Sequence, residues 1–141
     1  MSNKLKIYLI GSLRNPEVPI LANELRERGF DVFDDWYAAG EKADDAWRDY
    51  EKERGHNFRQ ALDGYAATHV FEFDKHHMDE TDIGVLLLPA GKSGHLELGY
   101  LIGLGGVPCY IVYPEEPERF DVMYKFADKV FGSTKELLAY I

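Results

Sequence analysis

The sequence predicts an α/β fold, a three-layer sandwich on a mostly parallel sheet of about five strands. Three observations carry that expectation. A strand–helix–strand unit is legible at the amino end and recurs after residue 83. The most apolar segment, Ile83 to Leu88, is continuous rather than alternating, as suits a central strand buried on both faces. Glycine-containing breaks separate these units. With 141 residues, 45% of them hydrophobic, the chain suffices for one sizeable core, so a single domain over 1–141 is expected.

Taken in order, Lys4 to Ile10 reads as a buried first strand. The break Gly11-Ser12-Leu13-Arg14-Asn15-Pro16 leads into a helix with Ile20, Leu21 and Leu25 at helical spacing, ended by Gly29. Phe30 to Phe33 is a short second strand. From Asp34 to Gly64 aromatic and charged residues mix without a strand pattern, which reads as an active-site insertion, part loop and part helix. Helical character resumes from Asn57 to His69, and a charged stretch, Asp74 to Asp82, leads into the strand Ile83 to Leu88. The loop Pro89 to Gly94, a helix from His95 to Leu104 and a strand from Pro108 to Tyr113 repeat the unit. Ser133, with Glu136 three residues on, forms a capping box that starts a final helix.

A formal net charge of -9 would repel phosphate backbones and anionic lipid, so nucleic-acid polymers and membranes are poor partners. The single Cys109 excludes an intrachain disulfide or a multi-cysteine metal site and lies in an apolar run expected in the core. The apolar segment at the start is too short for a signal peptide and no run approaches a membrane span, which makes the cytoplasm the expected location.

The loop Pro89-Ala90-Gly91-Lys92-Ser93-Gly94 follows a strand and opens a helix, where backbone N–H groups and the helix dipole hold an anion or polar ligand, or where it is a plain turn. It is not a Walker loop, because Leu86 stands where that motif needs glycine. Glu97 is the most informative residue, since its helix is otherwise almost wholly apolar. A first-turn carboxylate, kept ionised by the dipole and partly desolvated at the carboxyl edge of the sheet, is a competent nucleophile; it equally suits a glutamate that satisfies backbone donors.

His95 and Glu97 mimic half of a zinc deaminase signature, but one cysteine cannot complete that site. His76, His77, Asp79 and Asp82 invite a metal reading that a charged surface turn explains as well. Asp34, Asp35, Trp36 and Tyr37 follow the second strand, where open α/β sheets bind ligands and an aromatic ring stacks a base. Trp47 and Tyr50, at i,i+3 spacing, read as a packed helix face.

The segment TDIGVLLLPAGKSGHLELGYLIGLGGVPCYIVYP resembles the central strand, loop, nucleophile helix and next strand of nucleoside 2-deoxyribosyltransferases. The first strand with GSLRN, and the second strand ending in Asp34-Asp35-Trp36, extend the resemblance over most of the chain, most weakly from Gly40 to Asn57. It implies that Glu97 is the nucleophile attacking the anomeric carbon, that Asp74 donates a proton to the departing base, that Asp82 matches the strand-entry aspartate, and that Tyr8 helps to place the nucleophile. Two departures stand out. The aspartate that contacts the sugar 5′-hydroxyl in the transferases is Gly91 here. The related deoxynucleoside 5′-monophosphate N-hydrolases hold phosphate with serines near this loop and an arginine after the first strand, echoed by Ser93, Lys92 and Arg14. The position matching Asp121 carries a contact from a neighbouring subunit in both branches, and an acidic group there disfavours phosphate.

The resemblance therefore implies a flavodoxin-like sandwich whose carboxyl-edge site comprises Ser12, Arg14, Asp35, Trp36, Asp74, Lys92, Ser93, Gly94 and Glu97, with Gly11, Asp82 and Gly91 as further substrate-binding positions, Tyr8 behind the nucleophile and Asp121 from a second subunit. The expected reaction is cleavage of an N-glycosidic bond by double displacement, with transfer to a base or to water. No cofactor or metal is expected, and a homodimer or higher homo-oligomer is. Rival readings are an NAD-cleaving hydrolase and a non-catalytic nucleotide-sensing module.

Overall fold

The computed structural model describes residues 4–141 and contains five strands: β1 (Lys6–Ile10), β2 (Asp31–Phe33), β3 (Ile83–Leu87), β4 (Cys109–Val112) and β5 (Lys129–Phe131). They form one wholly parallel sheet in the order β2-β1-β3-β4-β5. The helices are α1 (Glu17–Glu27), α2 (Ala43–Glu53), α3 (Phe58–Leu62), α4 (Tyr65–Asp79), α5 (Lys92–Leu104) and α6 (Thr134–Tyr140), with 3₁₀ helices at Asp35–Ala39 and Val122–Phe126. This is the expected flavodoxin-like α/β sandwich.

The strand order explains which helices meet which face. From β1 to β2 the chain steps one way along the sheet, and every later step runs the other way. Right-handed crossovers taken in opposite directions put their helices on opposite faces. Accordingly Val18, Leu21, Ala22 and Leu25 of α1 join Leu137 and Leu138 of α6 against Ile7, Leu9, Val85 and Val112. Met78 of α4 and Leu98 and Leu101 of α5 pack on Tyr8, Ile10, Phe33, Leu86 and Ile111. The period-two alternation of β1 thus sends Ile7 and Leu9 to one layer and Tyr8 and Ile10 to the other. Gly84 sits under α5, where a Cβ would lie 2.8 Å from Leu101 Cδ1 and 3.0 Å from Cys109 Sγ.

Several sequence expectations shift. Ile20 is half exposed, and the buried face of α1 is Val18, Leu21, Ala22 and Leu25 instead. Helix α4 extends to Asp79, so Asp74, His76 and His77 are helical residues and not part of a charged loop. Asn57 to His69 is two helices, split at Asp63-Gly64, and Asn57 and Gln60 form a reciprocal capping box at the first. Tyr50 is exposed while Trp47 meets Phe58 edge-on, so the two do not make one packed face. At α6 Ser133 Oγ accepts from Glu136 N, but the Glu136 carboxylate accepts from Gly132 N rather than from the cap residue's own N–H. Strand β5, short and largely exposed, has no apolar run to announce it.

Candidate active site

The order β2-β1-β3 makes the carboxyl ends of β1 and β3 a topological switch point, where loops diverge to opposite faces and leave a crevice. The two loops there are Gly11–Pro16 and Leu88–Gly91. Helix α5 starts at Lys92, three residues earlier than its sequence pattern suggests, with extended Gly91 as its N-cap. That shift changes the reading of Glu97. It lies in the second turn, beyond the strongest reach of the helix dipole, and not in the first.

Tyr8, fully buried in the middle of β1, donates its hydroxyl to Glu97 Oε2 at 2.5 Å. Oε1 accepts no hydrogen bond among the described residues. Burial pushes the Glu97 carboxyl up to about 7; the Tyr8 hydroxyl works against that rise and the charge of Asp74 adds to it. The sequence expectation of a partly desolvated carboxylate favoured in its ionised form by the dipole is thus refined: desolvation outweighs the dipole at this second-turn position, and the carboxyl titrates near neutrality. Burial, and then the Glu97 charge, hold the Tyr8 phenol well above its usual range, so it remains a donor. Asp74, half-buried on α4, is raised by burial. Its charge acts on both Tyr8 and Glu97, which identifies these three groups as one electrostatic cluster.

The other expected residues divide. Arg14, Asp35, Gly91, Lys92 and Ser93 are exposed around the carboxyl edge. Ser12 Oγ accepts from Arg14 N at 3.1 Å and shapes the first loop. Gly11 and Gly94 serve packing: a Cβ on Gly11 would come within 2.9 Å of Val18 Cγ2, and one on Gly94 within 3.0 Å of Ile10 Cγ2. Trp36 packs against both cores and donates its indole N–H to Leu9 O at 2.8 Å, which fixes the partly buried ring near the carboxyl end of β1. Asp82 accepts from Lys6 N at 2.8 Å, at the amino edge of the sheet, away from the crevice. An aspartate that enters a parallel strand must sit at that edge. Asp121 caps the second 3₁₀ helix by accepting from Met123 N, and it borders an apolar recess of about 370 Å³ lined by Leu98, Ile102, Tyr124 and Phe126.

Sequence reasoning missed three features. Buried Asn15 accepts from Glu17 N with its side chain and fixes the start of α1. His95 bridges Gly91 O and the Tyr124 hydroxyl, both at 2.8 Å, and so ties the second 3₁₀ helix to the start of α5. Glu51, buried in α2, is bound by His56 Nδ1 at 2.8 Å and organises the insertion, none of whose side-chain hydrogen bonds reaches Glu97 among the described residues. Among the described residues no group of three His, Cys, Asp or Glu side chains could hold a metal ion. No described helix is long and apolar enough to cross a membrane.

No protein-family model matches the chain, and comparison with curated proteins finds no match. Among solved structures, the chain is similar to a 2-deoxyribosyltransferase from Bacillus psychrosaccharolyticus, with TM-score 0.64, 21% identity, and coverage of 96% of this chain and 92% of that one. It is also similar to a conserved protein from Enterococcus faecalis V583, with TM-score 0.65, 15% identity and 96% of both chains covered. The fold is thus one that a 2-deoxyribosyltransferase also uses.

Proposed function

We propose that this protein is an enzyme of the nucleoside 2-deoxyribosyltransferase type, which cleaves the N-glycosidic bond of a nucleoside by double displacement. The observation that carries the reading is the cluster of Glu97, Tyr8 and Asp74, a desolvated carboxylate with one oxygen held by a phenol and a second, half-buried carboxyl nearby that burial raises. The free Oε1 of Glu97 attacks the anomeric carbon as the carbon–nitrogen bond breaks, while Asp74 gives its proton to the departing base. The glycosyl–Glu97 ester then yields to the nitrogen of a second base, which loses its proton to Asp74, or to water with the same proton transfer. Tyr8 keeps the carboxylate oriented and takes no part in the proton balance. The likeness to a 2-deoxyribosyltransferase fold over 96% of the chain supports the same reading.

Two finer points belong to it. The protein works in the cytoplasm as a homo-oligomer; for the oligomer, support comes from large apolar side chains left exposed on several elements, among them Phe58, Tyr65, Phe71, Leu96 and Phe126. Its substrate is a free nucleoside rather than a monophosphate, because Asp121 of a neighbouring subunit would oppose a phosphate. Base release from a panel of nucleosides, 5′-monophosphates and NAD, with and without an acceptor base, tests the reading; no release from any of them would sink it. Among 5′-ligands, Arg14→Ala discriminates further. If exposed Arg14 holds a phosphate, the change weakens monophosphate binding by about 2–4 kcal/mol and leaves nucleoside binding nearly unchanged, as calorimetry would measure. Equal losses for both ligands assign Arg14 to loop structure.

The pH dependence follows from the cluster. The active form carries one proton, on Asp74, with Glu97 ionised. At low pH Glu97 also takes a proton and attack stops; at high pH Asp74 loses its proton and the base departs unprotonated. Since both carboxyls are raised, and Glu97 to about 7, kcat/KM should be bell-shaped with one limb near neutrality. A rate independent of pH from 4.5 to 8.5 would contradict this.

A further inference from the structure

Behind Glu97 and Tyr8 lies an aromatic stack that takes no part in the proposed reaction. Phe33, almost fully buried at the end of β2, is the direct parallel-sheet partner of Tyr8. Its ring stacks on the Tyr8 ring with centroids 5.1 Å apart and planes 24° apart. It also stacks on His77 of α4, with centroids 4.0 Å apart and planes 17° apart, and Phe73, one turn earlier, meets it at a tilt. The His77 ring is itself fixed, because its Nδ1 lies 2.7 Å from the Lys6 ammonium, whose side chain is largely buried. The chain of contacts runs from Lys6 through His77 and Phe33 to Tyr8, and ends on Glu97.

We propose that Phe33 is a positioning residue: its ring, pinned by His77, fixes the plane in which Tyr8 presents its hydroxyl to Glu97. A phenol can swing about two side-chain torsions, and a hydrogen bond weakens steeply once its angle degrades. The other buried members of this core layer, among them Ile10, Leu86 and Leu98, are mostly aliphatic. Offset stacking against a flat partner restricts the ring plane in a way an aliphatic side chain of equal volume does not. Position 33 therefore needs a ring for catalysis, whereas the core alone needs only an apolar side chain. The inference rests on the reading of Glu97 as nucleophile, but its geometry can be tested without turnover.

The groups that face Glu97 are Tyr8 from β1 and Asp74 from α4; those that face His77 are Lys6, His76, Glu80 and Asp35. Phe33→Leu changes none of their charges. Carbon-13 NMR titration of the Glu97 carboxyl, identified by its loss in Glu97→Gln, is the direct readout. Tyr8→Phe and Phe33→Leu should both move the midpoint to higher pH, by about half a pH unit or more, because a carboxylate without its donor holds its proton more tightly. The double variant should move it no further than Tyr8→Phe alone. In base release, Phe33→Leu should lower kcat about tenfold with KM changed less than about twofold. An unchanged titration in folded Phe33→Leu, or an additive shift in the double variant, overturns the proposal and leaves Phe33 as core packing. Should Phe33→Leu not fold, half-exposed His77 decides. His77→Ala should shift the midpoint upward and His77→Phe, equally uncharged, should restore it; no difference between these two overturns the proposal. If the wild-type protein released no base from any substrate, the glycosidase reading would fail while the titration comparison still judged the stack.

Discussion

Replacing Glu97 by Gln should lower base release by about three orders of magnitude or more while the protein stays folded and binds ligand. The reasoning starts from what the substitution keeps. Glutamine has the same volume, and its amide oxygen still accepts from Tyr8, so the packing of α5 on β1 survives. What disappears is the lone pair of an anion at Oε1, and with it the covalent step. A glutamate with only a structural role would tolerate the exchange, because burial already works against its charge near neutral pH. A 2-fluoro-2-deoxy nucleoside, which slows breakdown of the glycosyl-enzyme, should leave the sugar on Glu97 in the unaltered protein, where mass spectrometry of peptides would locate it. Full turnover by folded Glu97→Gln would end the double-displacement reading.

Asp74→Asn should cost about 10²- to 10⁴-fold in base release, with the loss depending on the leaving group. A purine or pyrimidine leaves poorly as an anion and needs the proton that asparagine cannot give. An aryl 2-deoxyriboside whose phenol is acidic leaves without help, so its turnover should fall less than about tenfold in the same variant. The pH profile should change in a matching way. With the charge of Asp74 gone, one of the two causes that raise Glu97 is removed, so Glu97 should titrate below the value of about 7 it has beside Asp74. The rate should then rise with pH through that single ionisation and stay level above it. Equal losses for the aryl substrate and the nucleoside would show that Asp74 supports the site's shape instead of protonating the base.

How much of this was legible in the chain depends on which force sets each feature. The parallel sheet follows from two strand–helix–strand units and a continuous apolar strand, signals that survive because burial on both faces leaves no room for polar residues in β3. Glu97 stood out for the same reason, as a charge in an apolar helix. Its place in the helix was less legible, because the helix begins three residues earlier than the apolar pattern does: Lys92 and Ser93 carry no periodicity, yet extended Gly91 lets the first turn form there and leaves Glu97 in the second turn, where burial sets its titration. The roles of Trp36 and Gly94 depend on what lies across the core from them, and neither neighbour is close in sequence. Asp82 could have been set aside from topology alone, since a residue entering a parallel strand lies opposite the carboxyl-edge crevice. The stack of Phe33 on Tyr8 needed the register of β1 against β2, which three paired residues establish and no spacing rule encodes.

Helix α5 joins two surfaces with different tolerance for change. Its inner side holds Gly94, Glu97, Leu98 and Leu101 against the sheet, where a methyl group at Gly94 or a small shift of Leu101 would displace the carboxylate. Its outer side begins with exposed Lys92 and Ser93 and carries Leu96, Gly99 and Gly103 with open space around both glycines, while exposed Arg14 lies on the other loop of the carboxyl edge. Mutational drift can therefore rewrite the rim of the crevice residue by residue while the reacting groups stay in register. Under the proposed glycosidase reading, libraries that vary residues 14, 92 and 93 and leave the inner side alone should alter sugar-end preference without rebuilding the machinery beneath.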